Sequence, residues 1–118
     1  MKYLCLVYVE EKALDGLSER QMAGLVDESL EYDEALRRSG HYITSNALQR
    51  VRTAATVRQP GGKALVTDGP FAETREQLGG LILIEARDRD EAIQVASKIP
   101  VGRLGAIEVR PVQALAHS

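Results

Sequence analysis

The chain has 118 residues, enough for one compact domain with a real core and too few for two. Its 15 Lys and Arg oppose 17 Asp and Glu, a formal charge of −2, which argues against a nucleic-acid platform with its basic excess or stripe. The one cysteine, Cys5, lacks an internal disulfide partner and has only His41 and His117 for company, so no metal or cofactor site is expected. No apolar run is long enough to span a membrane, and the opening Met1-Lys2-Tyr3 leads straight into a strand-like segment rather than a secretory signal. A soluble cytoplasmic protein is the expectation.

Tyr3–Val9 (YLCLVYV) reads as a strand, dense in β-branched and aromatic residues and too short for a buried helix. After an acidic link, Glu10–Leu17, Ser18 and Gln21 form a capping box that opens a helix ending at Gly40. Its apolar stripe runs through Met22, Leu25, Val26 and Leu36, with Ser29 and Asp33 interrupting it; Asp33 is read as a rim residue that reaches solvent. His41–Leu48 is a second strand. Arg52–Arg58 and Lys63–Thr67 flank the turn Pro60-Gly61-Gly62 as an inserted hairpin, and Asp68-Gly69-Pro70 breaks the chain again. Phe71–Leu78 is a charged loop or short helical turn, and Gly79-Gly80 release the strand LILIEA. Asp88 caps a second helix, with Glu91 three residues on and Ala92, Val95, Ala96 and Ile99 as its stripe; Pro100 ends it. Gly105–Val112 is the closing strand. Residues 1–112 form the domain, and Gln113–Ser118 are a frayed tail.

Two β-α-β units around a hairpin predict an α+β fold, a ferredoxin-like split β-α-β sandwich with both helices on one sheet face. The first strand and Leu81–Ile84 are apolar on both parities, however, and two helices cover only one face. A second copy of the sheet is the simplest cover, so a homodimer is expected.

The densest polar segment is Thr67–Glu76, directly after a strand. Asp68, at a strand end beside a Gly-Pro turn, is the candidate general base; the competing reading is ordinary turn chemistry with an Asx-type bond. Glu73 and Glu76 lie within nine residues of it as secondary acids. Arg58 and Arg110 are candidate clamps for an anionic substrate, Arg110 sharing its strand parity with Glu108. His41 either shuttles protons or caps the helix it follows, and Cys5 is read as an inert small hydrophobe.

Val66–Gly80 (VTDGPFAETREQLGG) followed by an apolar strand, with Thr56-Val57-Arg58 before it and Ile107–Val112 (IEVRPV) after it, resembles the DGPF group of YCII-related proteins. The resemblance runs from Lys2 to Val112 and implies a dimeric α+β barrel. It also implies likeness to small lactone-processing and dehalogenating enzymes, for which a histidine–aspartate pair has been proposed. Asp68 matches the motif's aspartate, whereas the histidine of YCII-type proteins belongs to the first helix and Ser18–Ser39 contains none. Group members are often associated with extracytoplasmic-function sigma factors.

Two functions follow as expectations. One is binding or transformation of a small anionic or lactone-like molecule by acid/base chemistry near the DGPF loop. The other is a non-catalytic regulatory partner, with a sigma factor as the docked protein. Convergence of Asp68, Arg58 and Arg110 on one concave pocket favours the first, and their dispersal over the surface favours the second.

Overall fold

The computed structural model describes residues 1–115. Among these residues, six strands and three α-helices follow in the order β1 (Lys2–Val9), α1 (Glu11–Asp15), α2 (Glu19–Ser39), β2 (Tyr42–Ala47), β3 (Ala55–Arg58), β4 (Leu65–Asp68), β5 (Gln77–Glu85), α3 (Arg89–Ala96) and β6 (Gly105–Pro111). The main sheet is antiparallel in the order β2-β5-β1-β6, and β3-β4 make a separate two-stranded sheet. This is the expected α+β ferredoxin-like arrangement with an inserted hairpin. No described helix is long and apolar enough to cross a membrane.

Local chemistry sets the helix ends. Ser18 accepts from the Gln21 backbone N–H while Gln21 reaches back to the Ser18 N–H, and Gly40 closes α2 at φ 82°. Asp88 caps α3 by accepting from the Glu91 N–H.

Several boundaries move from the sequence reading. The link after β1 holds a one-turn helix, α1. Val51–Thr53 form a 3₁₀ turn, so β3 starts only at Ala55. Gln77–Gly80 already belong to β5, so the glycine pair lies inside a strand instead of releasing one. Helix α3 stops at Ala96, and Ile99 precedes a 3₁₀ turn over Pro100–Leu104. Residues 116–118 of the expected frayed tail lie outside the described residues.

The two parities of β1 meet different partners. Tyr3, Cys5, Val7 and Val9 are buried under the helices with Ile82 and Ile84 of β5, Leu36 of α2, and Ala92, Val95 and Ala96 of α3. Burial pushes the Cys5 thiol up to about 11, which keeps it an unreactive apolar filler. Leu4 and Leu6 pair with Leu83 and Leu81 on the opposite face, which no helix covers. The extents of 47 × 46 × 18 Å describe a plate, thin across the sheet and its single helix layer. Its radius of gyration, 16.1 Å, exceeds the about 13.5 Å of a compact chain this long. In the hairpin and the loop after it, Val57, Leu65, Val66 and Phe71 are all more than half exposed.

Three carboxylates are expected to make the fold acid-sensitive. Asp88 is held below the usual carboxylate range by the Glu91 N–H and then by Arg87. Glu91 is lowered by the Arg87 N–H and then by His41, and Glu85 by its hydrogen bond to the terminal ammonium. Because their folded values are depressed, these groups contribute stability above the unfolded carboxylate values, about 4, and lose it as pH falls through their folded values. The urea midpoint is expected to drop below about pH 4, and Asp88→Ala to lower it at neutral pH through loss of the cap and to flatten that acid slope. An unchanged slope in the variant would remove Asp88 from the account.

Candidate functional site

A cavity of about 580 Å³ opens between α2, the β2 edge and the β1–β5 end of the sheet. Its walls are mainly apolar, with Val7, Val9, Leu14, Met22, Leu25 and Val101 among them. The glycine pair shapes it. Gly79 sits in the bulge between the pairs Val7–Gly80 and Tyr8–Leu78, and Gly80, on the helix-facing parity, brings no side chain. A Cβ on Gly80 would come within 3.1 Å of the Asn46 carbonyl oxygen, so β2 packs against bare backbone there. Helix α2 then spans a hollow floor where side chains would otherwise fill the gap.

Asp33 lines this hollow. It lies one turn beyond Ser29 and three residues before the buried Leu36, so it belongs to the helix's inward stripe, where it is half-buried on the wall of the hollow. Its Oδ2 accepts from the Ser45 hydroxyl at 3.0 Å. Having donated to Asp33, Ser45 accepts from the Tyr42 hydroxyl at 2.8 Å. Residues three apart in a regular strand face opposite ways. A register shift between Tyr42 and Thr44 puts Tyr42 and Ser45 on one face, opposite Ile84 and Ile82. The Arg37 guanidinium stacks 4.2 Å from the Tyr42 ring centroid and fixes its plane. Asp33 is thus a carboxylate with one oxygen anchored and the other, Oδ1, without a hydrogen bond among the described residues.

The far rim is charged. Glu11, on the short helix α1, accepts from the Val51 N–H at 2.9 Å. Arg50 reaches the Asp15 carboxylate at 3.1 Å and the Glu11 carbonyl at 3.4 Å. Tyr32 and Ser29 spend their hydroxyls on the carbonyls of Val95 and Leu25.

The residues picked from sequence stand elsewhere. Asp68 is exposed at the end of β4, and its carboxylate makes no hydrogen bond among the described residues. The turn is held instead by Gly69 N–H to the Ala54 carbonyl at 2.8 Å and by the Thr56 hydroxyl to the Gly69 carbonyl, so the Asx-type bond does not form. Arg58 lies over the Phe71 ring at 5.3 Å, and Glu73 and Glu76 are exposed in the loop before β5. Arg110, opposite Leu4, is on the uncovered sheet face with Glu108. None of Asp68, Arg58, Glu73, Glu76 and Arg110 lines this cavity or a second groove of about 540 Å³ between α3 and β6. The expected convergence of Asp68, Arg58 and Arg110 on one of these hollows is absent, because the hairpin stands apart from the sheet and Arg110 takes the parity away from the helices. His41 neither lines the cavity nor serves only as a cap: its ring bridges Ser39 at 2.7 Å and Glu91 at 3.1 Å, tying α2 to α3.

The model of the YCII-related domain matches residues 1–116. The chain belongs to the YCII-related family. An uncharacterized protein of Rhizobium meliloti (strain 1021) is 36% identical over 118 residues, covering 95% of this chain and 92% of that protein. Among solved structures, the chain resembles 5-chloro-2-hydroxyhydroquinone dehydrochlorinase from Burkholderia phenoliruptrix AC1100, in complex with 2,5-dihydroxybenzoquinone. That likeness has a TM-score of 0.60 at 14% identity and covers 99% of this chain and 98% of the other. At that identity the shared property is the fold, the α+β sandwich of the family. The motif that carried the resemblance in sequence contributes to the cavity through its last two residues, Gly79 and Gly80.

Proposed function

We propose that this YCII-related protein binds a small molecule in the α2–sheet cavity and transforms it by proton transfer at Asp33. The observation that carries the reading is the half-buried Asp33 carboxylate, anchored by Ser45 in a mostly apolar hollow of about 580 Å³. A fixed carboxylate with a free oxygen in such a setting is suited to take a proton from an acidic C–H or O–H. The structural neighbour, named as a dehydrochlorinase, lends support as a small-molecule enzyme of the same fold. The uncovered sheet face and the apolar hairpin serve a homodimer in this reading. The alternative of a regulatory docking module draws on the exposed hairpin alone, and a ligand that raises the melting temperature through the cavity separates the two.

The test is a thermal-shift screen of small lactones and phenols, followed by solvent-deuterium exchange at the acidic position of each hit. Asp33→Asn keeps an acceptor for Ser45 and removes the base. It is expected to lower exchange by about 10² to 10⁴ with the melting temperature preserved. Equal exchange by wild type and variant would end the proposal.

A further inference from the structure

We infer that the cavity takes an uncharged ligand and rejects a carboxylate of the same shape; the inference rests on reading this cavity as the ligand site. The charged groups carry it. Among the described residues that line the hollow, Glu11 and Asp33 are acidic and Arg50 alone is basic. That one cation is already matched, its Nη2 at 3.1 Å from Asp15 and its Nη1 at 3.4 Å from the Glu11 carbonyl. Two acidic residues therefore line the hollow with one basic residue, whose guanidinium is paired from outside by a third carboxylate. An anion entering would lose its hydration and meet, as the one lining cation, a guanidinium already paired with Asp15.

The proposed chemistry points the same way. When Asp33 takes a proton from a carbon acid, the C–H bond breaks and an O–H bond forms on the carboxyl group. The C–H electron pair moves into the ligand as an enolate. The charge thereby passes from Asp33 to the ligand, and the cavity's total is unchanged. With a ligand that arrives as an anion, a second negative charge must be housed beside Glu11, with only Arg50, already paired with Asp15, to offset it. The arginines that sequence reading offered as anion clamps, Arg58 and Arg110, are outside the cavity, so they add no further cation.

Matched pairs test this: methyl esters and the corresponding free carboxylates of hydroxylated five- and six-membered ring compounds, in three sizes, titrated at pH 7 while backbone amide shifts of cavity residues are followed. The esters are expected to bind at least about tenfold more tightly than their carboxylates. The gap is expected to narrow severalfold in Asp33→Asn and in Glu11→Gln, each of which keeps its oxygen acceptor. Carboxylates that bind in the cavity as well as their esters would overturn the charge rule and leave the site standing. Shifts confined to residues outside the cavity, for every pair, would overturn the site and the charge rule together.

Discussion

Gly105→Ala is expected to cost more than about 3 kcal/mol, the range of a severe packing error. The residue is extended, at φ 179°, so the cause is space and not backbone strain. A Cβ there would fall 1.9 Å from the Tyr8 carbonyl oxygen and 2.9 Å from the Val9 Cα. Both atoms belong to β1, a central strand held on its other side by β5, so the clash cannot be relieved by rotating a side chain. Strand β6 has to part from β1 at its first pair, Val9 with Gly105. Gly24→Ala is the opposite control: it lies inside α2 with nothing within 4 Å of its Cβ position. It is expected to stabilise by about 0.5–1 kcal/mol. Urea unfolding of both variants checks the pair, and a loss under about 1 kcal/mol at Gly105 contradicts the close approach.

The wild-type chain is expected to be a dimer of about twice 12.9 kDa, and Leu6→Lys a monomer that still unfolds cooperatively. Leu6 sits at the middle of the uncovered face, opposite Leu81 on one side and Glu108 on the other. A lysine there is solvated in the monomer, so the fold tolerates it, whereas a sheet-to-sheet interface has to bury it. An interface of about 1,500 Å² is enough for a stable pair. Light scattering on the wild type is the first measurement. A monomer at micromolar concentration would leave the face as mere exposed surface.

The fold was legible because its signals are periodic and local. The double-sided apolar pattern of Tyr3–Val9, the Ser18–Gln21 box, Gly40 and Asp88 each act within a few residues of themselves. The site was legible only in pieces. Asp68 drew attention because its neighbours are polar, but polarity in a turn says nothing about which way the turn faces, and here Asp68 is exposed and does not line the cavity. Asp33 was visible as a break in an apolar stripe. Its meaning depended on Ser45, twelve residues on, and on the bulge at Ile43, which has no sequence signature. A signal that could have raised it was the pairing of that break with Gly79-Gly80, since a carboxylate on a helix's inward face opposite bare strand backbone implies a hollow. The short helix α1 was missed because five residues carry too little periodicity, and with it went Glu11 and the tether on Arg50.

The most direct test of the account is where a screened ligand sits in a crystal of its complex. Ligand density is expected between α2 and the glycine pair, with a polar ligand atom within hydrogen-bond reach of Asp33 Oδ1. Density beside Asp68 at the hairpin, with the Asp33 cavity holding only solvent, would contradict it.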